Sequence, residues 1–325
     1  MNKQSVLMVG VGGYLPKNVM LNSDLSKFVD TSDEWIRKRT GIKQRHIISE
    51  SELTSDLGYK AAEIAIKSSG IKKEEIDIII LATTTPDETF PASAVTIQKK
   101  LGALNSYAFD IQAVCAGFVY ALTIAKSLLI SGQGKKALVI GAESFSRILD
   151  WKDRNTCVLF GDGAGAVVLE SSDFVSNWGI LSSSLFSDGR YKDLLYVNGG
   201  PSSSDKVGKV QMEGKEVFKH AVEKLSYALI DVLNKTSLSS SDIDWLIPHR
   251  ANERIIDSMQ KKFGIDKNKI IKTVAQHANT SAASIPLALY EAVKEKKIRS
   301  GNLLAFEAIG GGLTWGASLV KYGRP

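Results

Sequence analysis

The chain has two cysteines in 325 residues, Cys115 and Cys157. That scarcity excludes a disulfide-stapled fold and fits a reducing, cytoplasmic setting. No uninterrupted apolar run approaches the ~20 residues of a membrane-spanning helix, so no membrane association is expected. The apolar run near Met1–Gly10 is too short for a secretory signal and reads as a first strand. Formal net charge is +6, yet there is no Lys/Arg block and only four histidines. This does not demand nucleic acid; it fits acidic ligands or an acidic partner. The glycines of Val6-Leu-Met-Val-Gly-Val-Gly-Gly13 lack the third spaced glycine of a dinucleotide fingerprint, and Tyr14-Leu-Pro16 stands where a helix should start. A strand entering a glycine turn is expected there instead.

What is present centres on Tyr107–Leu129, a short strand pattern that turns into an apolar helix pattern at Cys115. The neighbours Ala113, Ala116 and Gly117 are small and leave room for a ligand. A helix N-terminus favours thiolate. A free cysteine often only packs, and Cys157, in the strand-like run Thr156-Cys-Val-Leu-Phe160, is read that way. Cys115 is set apart by its position and by the His and Asn segments further on.

In Asp30–His46, Ser32 or Thr31 can cap a short helix whose Trp35 and Arg39, four apart, share a face. The plainer reading is a packed indole under an arginine stem; the functional one is a clamp for adenine and phosphate. Residues 53–69 form an amphipathic helix, and Ile76–Thr83 is an apolar run of the kind covered on both faces. A loop carrying Phe90 leads to a helix ending near Leu101. Lys136–Glu143 is another buried strand, followed by a loop with Arg147, Arg154 and Asn155. Phe160–Leu169 is a glycine-rich turn running into a strand, residues 180–210 alternate strands and loops, and a long helix runs from near Met212 to about Asn234.

The pattern then repeats. Asp77 and Cys115 lie 38 positions apart, Asp244 and Asn279 35; strands follow 22 positions after Cys115, at Ala137, and 24 after Asn279, at Leu303. Two related halves, 1–172 and 173–325, imply an internal duplication. Alternating strands and helices imply mixed sheets covered by helices. The expected architecture is α/β, a duplicated five-layered αβαβα fold with two mixed sheets around buried helices opened by Cys115 and Asn279.

Three later segments complete a constellation. Pro248-His249-Arg250-Ala251-Asn252 follows a strand end, where catalytic groups of α/β folds gather. His277-Ala-Asn279-Thr-Ser-Ala-Ala-Ser284 opens a small-residue helix, and Gly310-Gly-Gly312-Leu-Thr-Trp-Gly316 is a glycine turn after the strand Leu303–Ile309. Singly, these read as a surface histidine, a helix cap and a hairpin. Together they supply a nucleophile, two neutral hydrogen-bonding side chains and a backbone donor loop.

With Asp30-Thr-Ser-Asp-Glu-Trp-Ile, Arg39-Thr-Gly-Ile, Cys115-Ala-Gly-Phe and Phe160-Gly-Asp-Gly-Ala-Gly-Ala, these motifs fall nearly end to end in one family's order. The sequence resembles the β-ketoacyl-acyl carrier protein synthases III of bacterial fatty-acid synthesis, among the thiolase-like condensing enzymes. The resemblance implies a triad of Cys115, His249 and Asn279, an oxyanion hole from the N–H groups of Cys115 and Gly311, and Asn252 ordering His249. It implies acyl transfer from a starter acyl-CoA, most simply acetyl-CoA, to Cys115. Decarboxylative condensation with malonyl-acyl carrier protein would follow. It implies CoA contacts at Thr31, Trp35, Arg39 and Arg154, and a pantetheine wall of Met212, Gly214, Phe218 and Ala221. Phe90 would close the acyl pocket across a homodimer, and Lys219, Arg254, Lys261 and Lys262 would dock the acidic carrier protein, although such a patch can also be a solvated helix face. No metal or other cofactor is implied; the CoA thioester is a substrate.

Three residues depart from the family: Arg250 where Gln is common, Ala278 where Gly precedes the Asn, and Lys215 where an Asn lies near the tunnel mouth. A starter synthase of polyketide or quinolone synthesis fits the same triad. A thiolase proper would want a second cysteine near Gly310–Gly312, and a silent carrier-protein-binding subunit would have no use for Cys115.

Overall fold

The computed structural model describes residues 4–173, 177–249 and 263–325. The first half runs β1 (Ser5–Tyr14), β2 (Asn18–Leu21), α1 (Asp33–Thr40), β3 (Gln44–Ile47), α2 (Thr54–Ser69), β4 (Ile78–Ala82), α3 (Ser93–Leu101), β5 (Tyr107–Ile111), α4 (Gly117–Ile130), β6 (Lys136–Glu143) and β7 (Gly163–Ser172). The second half runs β8 (Gly179–Ser187), β9 (Leu195–Val197), β10 (Val210–Met212), α5 (Gly214–Asn234), β11 (Trp245–Pro248), α6 (Ser284–Lys294), β12 (Leu303–Gly310) and β13 (Thr314–Lys321).

The apolar run at β4 explains the layering. Its side chains alternate between two faces, and both are buried. Ile79 and Leu81 join a core with α2 and α3, while Ile78, Ile80 and Ala82 join a core with α4 and α6. That second core continues into Leu304, Phe306 and Ala308 of β12. The opposite face of the second sheet, with Ala305, Ala317 and Leu319, packs under α5. The order of layers is therefore α2/α3, first sheet, α4/α6, second sheet, α5, as the sequence repeat implied.

The two sheets share one topology. The first is ordered β1-β7-β6-β4-β5 and the second, read from the corresponding edge, β8-β13-β12-β11. In each, the first two neighbouring pairs are antiparallel and the next, β6–β4 or β12–β11, is parallel. A parallel bridge from Leu246 to Ile270 stands where β5 stands in the first half.

Two expectations are corrected. Gly10, Gly12 and Gly13 form no turn; they lie within β1. A side chain on Gly12 would collide with the Ala61 carbonyl of α2, so these glycines bring strand and helix backbones together. Cys157 is not in a strand but ends a short helical turn, Arg154–Cys157, capped by the Asp153 carboxylate, which accepts from the Asn155 N–H. An acidic residue able to cap outweighs a three-residue apolar run.

Candidate active site

β5 delivers the chain to Ala113, and Val114 then takes a left-handed φ of 48°. This is an unfavourable region for a β-branched residue. The bend swings Cys115 into the 3-10 turn Val114–Ala116 that opens α4. The thiol is 3% exposed. Burial pushes it up to about 12; a hydrogen bond with Ser281 works against that shift, and the nearby Glu143 carboxylate adds to it. The thiolate expected from the helix terminus is thus not the resting state. Desolvation outweighs the partial charge of a helix end, and the sulfur rests as a thiol.

His249 follows β11, and its N–H donates to the Glu307 carbonyl at 2.7 Å, extending the parallel ladder by one residue. Burial draws the imidazole down to about 4, so the ring is neutral at pH 7. Its Nδ1 lies 2.7 Å from Ser284 Oγ, and Ser284 Oγ lies 2.7 Å from the Ser281 carbonyl. Ser284 Oγ donates to the Ser281 carbonyl, and its one proton can instead turn to Nδ1. When it points to Nδ1, the neutral ring carries its own proton on Nε2 and can donate from there.

Asn279 precedes the 3-10 turn Ser281–Ala283 that leads into α6. Its N–H donates to the Leu159 carbonyl and its carbonyl accepts from Gly161, fixing the backbone against the glycine-rich segment. Its Oδ1 accepts the Ser281 N–H at 2.8 Å, which leaves its NH₂ group as the donor for a ligand. Ser281 itself has φ 50°. Through amide, carbonyl and hydroxyl it reaches Asn279, Ser284 and Glu143. Cys115, His249 and Asn279 therefore all lie against the Ser281–Ser284 turn.

The glycine turn closes the other side. A methyl group on Gly310 would stand 2.7 Å from the Cys115 nitrogen, so only glycine lets the β12 end lie against the Cys115 backbone. The next residue, Gly311, is close to the Val114 side chain and the Leu195 carbonyl.

The predicted nucleotide residues also converge. Ser32 caps α1, accepting from Trp35 N at 3.1 Å. The Arg39 and Arg154 guanidiniums lie 4.6 and 4.9 Å from the Trp35 ring centre. Arg154 donates to the Asp30 carbonyl, and the Thr31 hydroxyl beside it is buried without a partner among the described residues. The Arg154 turn packs against β10, where Met212 pairs with Leu195. Packing therefore leads from the Arg154 turn to β10, from Met212 to Leu195 and from Leu195 to Gly311. Gly214 begins α5, Phe218 packs on its core and Ala221 is buried in it.

Phe90 is 82% exposed in the loop before α3, so within one chain it lines no interior pocket. Lys219 and Lys215 are exposed, Lys219 beside Glu216 at 3.9 Å. Arg250, Asn252, Arg254, Lys261 and Lys262 lie outside the described residues.

Four further residues belong to this region without standing out in the sequence. Ser281 and Ser284 lie inside the His277–Ser284 segment. Glu143 ends the apolar strand β6, Glu307 interrupts β12, and both are fully buried. A carboxylate inside a buried strand was the available signal, because such a group persists only with partners or as the neutral acid. Burial raises Glu143 to about 7 against the hydrogen bonds it accepts, and Glu307 to about 8.

Two family models match, 3-oxoacyl-[acyl-carrier-protein] synthase III over residues 109–189 and its C-terminal companion over 233–322. A β-ketoacyl-[acyl-carrier-protein] synthase III of Rhodospirillum centenum is 55% identical over 318 residues, covering 97% of this chain and 98% of that protein. Among solved structures, the 3-oxoacyl-[acyl-carrier-protein] synthase III of Aquifex aeolicus superposes with TM-score 0.92 at 46% identity, over 98% and 100% of the two chains. The priming β-ketosynthase of the R1128 polyketide pathway does so with TM-score 0.92 at 32% identity, over 99% and 97%. The duplicated layers are those of the thiolase-like condensing enzymes. Within that class, the chain belongs to the β-ketoacyl-[acyl-carrier-protein] synthase III family, which are acyltransferases.

Proposed function

We propose that the chain starts fatty-acid synthesis by joining an acetyl group from acetyl-CoA to malonyl-acyl carrier protein in the cytoplasm, through an acyl-Cys115 intermediate. The meeting of Cys115, His249 and Asn279 around Ser281 carries this reading. In the first half-reaction Cys115 Sγ attacks the thioester carbonyl. The developing oxyanion is held by the N–H groups of Cys115 and Gly311, each worth on the order of a hundredfold in rate. CoA leaves and malonyl-acyl carrier protein enters. Loss of CO₂ places an enolate on the thioester oxygen, which receives hydrogen bonds from His249 Nε2 and the Asn279 amide. The carbanion then attacks the acyl-Cys carbonyl and releases the β-ketoacyl product and the free thiol. The scheme uses CoA thioester as substrate and calls on no metal or redox group.

Trp35, Arg39, Arg154 and Thr31 are assigned to the nucleotide, and Met212, Gly214, Phe218 and Ala221 to the pantetheine arm. The stacking of Arg154 on Trp35, the packing of its turn on β10 and the approach of Leu195 to Gly311 support that assignment. β5 is an edge strand, and Tyr107 at its start, Leu104 just before it and Phe90 are exposed. These features support a homodimer paired along β5, with Phe90 reaching the partner's acyl pocket. Asn252 is assigned to ordering His249, and Lys219, Arg254, Lys261 and Lys262 to docking the carrier protein. We assign the division between halves to 172/173, after β7.

Intact-mass detection of acyl-enzyme over a panel of acyl-CoAs tests the chemistry and defines the starter. Wild type should gain one acyl group and lose it on addition of malonyl-acyl carrier protein; Cys115→Ala should gain none. Acylation of Cys115→Ala in normal amount rejects the nucleophile. The similarity to a polyketide priming ketosynthase favours a second reading, a starter other than acetyl. The same panel decides it.

A further inference from the structure

The nucleophile rests as a thiol, so its proton must leave as sulfur attacks, and the triad roles above assign no group to receive it. His249 and Asn279 serve the second half-reaction as donors. The structure places another acceptor within reach. The Ser281 hydroxyl neighbours the Cys115 sulfur, where it favours the ionised form, and it donates to Glu143 Oε1 at 3.0 Å. The 3-10 turns bearing Cys115 and Ser281 pack directly together. Glu143 is 0% exposed, at the end of β6. Its second oxygen accepts from Thr85 Oγ1 at 2.8 Å, Thr84 N at 3.0 Å and Thr83 Oγ1 at 3.4 Å. Three donors hold that oxygen fixed and leave Oε1 aimed at Ser281 alone among the described residues.

We propose that Ser281 and Glu143 form a proton relay for acylation, in which Ser281 takes the Cys115 proton as its own passes to Glu143. This rests on Cys115 as nucleophile. The S–H pair becomes the new bond from Sγ to the thioester carbon, whose carbonyl pair moves onto oxygen. Collapse of the tetrahedral adduct expels CoA as thiolate, and the proton on Glu143 returns through Ser281 to that departing sulfur. Acyl-Cys115 and free CoA thiol result, with no proton drawn from outside.

The surroundings suit the role. Cys115 is the titratable group facing Glu143 across Ser281. The loop after β4 presents threonine hydroxyls and an amide, and β7 presents Gly163 opposite Glu143. Asp162, next to Gly163, turns its carboxylate to Ser146 and the Ile48 amide instead. His249 is engaged with Ser284. The pair therefore sits in a water-poor site where a proton shuttle through a hydroxyl replaces solvent.

The test is the rate of acyl-enzyme formation from acetyl-CoA against pH, by rapid quench and intact mass. A relay predicts a wild-type rate that climbs with pH through about 7, as Glu143 ionises, and then levels. Glu143→Gln should acylate about a hundredfold more slowly or worse, without that limb. Ser281→Ala, which keeps the carboxylate but removes the bridge, should do the same. Glu143→Asp should keep the limb at a reduced rate. Thermal melts identify a variant that fails to fold, in which case Ser281→Ala decides. Acylation within threefold of wild type in Ser281→Ala or folded Glu143→Gln, or an unchanged limb in either, overturns the relay. Such a result leaves Cys115 standing as nucleophile so long as Cys115→Ala is not acylated.

Discussion

The Ser281 N–H donates to Asn279 Oδ1 at 2.8 Å, and that one bond settles which end of the carboxamide faces a ligand. With the oxygen engaged, the NH₂ group is presented. Asn279→Asp should leave acylation of Cys115 near wild type and lower decarboxylation of malonyl-acyl carrier protein a hundredfold or more. It replaces a donor to the enolate by a negative charge. His249→Ala should show the same split. Single-turnover measurement of each half-reaction checks both, and equal loss in the two half-reactions contradicts the assignment.

Ala278 has φ 57° and ψ −160°, a combination open in practice only to glycine, and strain there costs on the order of 1–3 kcal/mol. The departure noted in the sequence is thus a strained one. Ala278→Gly should stabilise the protein by about 1 kcal/mol. Relief of strain outweighs the ~0.4–1 kcal/mol that glycine adds to the freedom of the unfolded chain. The chemical-denaturation midpoint should rise at unchanged slope, and a fall in the midpoint contradicts this.

Trp35 lies beside two guanidiniums, Arg39 and Arg154, which suits a flat base and its phosphates. Trp35→Ala and Arg154→Ala should each raise KM for acetyl-CoA about tenfold, with kcat little changed. An acetyl thioester truncated before the nucleotide should react with the variants as it does with wild type. Steady-state kinetics with both substrates makes the comparison, and an equal loss with the truncated thioester contradicts the assignment.

Glu307 is fully buried, and burial lifts it from 4.5 to about 8. The folded protein therefore holds a proton that the unfolded chain releases above about pH 4.5. The sign follows from linkage: this contribution is complete below that pH and is lost as pH rises through about 8. Glu307→Gln removes the dependence. The stability of the variant relative to wild type should climb steadily between pH 5 and pH 8, and urea melts at three pH values measure it. A flat difference contradicts the assignment.

Much of this was legible because the relevant signals are local. The β4 run, the Ser32 cap and the repeat of spacing each report on a few neighbouring residues, and the layers followed from them. Cys115, His249 and Asn279 were legible as residue types at strand ends and helix starts. The protonation of the thiol was not. It depends on how completely α6 and the Ser281 turn cover the sulfur, and those elements lie more than 160 positions away in the chain. Cys157 was misread for the opposite reason, because a nearby aspartate captured the backbone. Gly10–Gly13 were misread because their partner, Ala61 of α2, is fifty positions downstream.

α4 and α6 share the middle layer, one following the sulfur and the other the amide, and their apolar side chains form a single core. The distance between the sulfur and that amide is therefore set by how two helices mesh rather than by any loop. A shaved side chain at Leu122 or Leu289, remote from any ligand, would let one helix settle against the other. Its first symptom would be mistimed chemistry in a protein that still melts cooperatively.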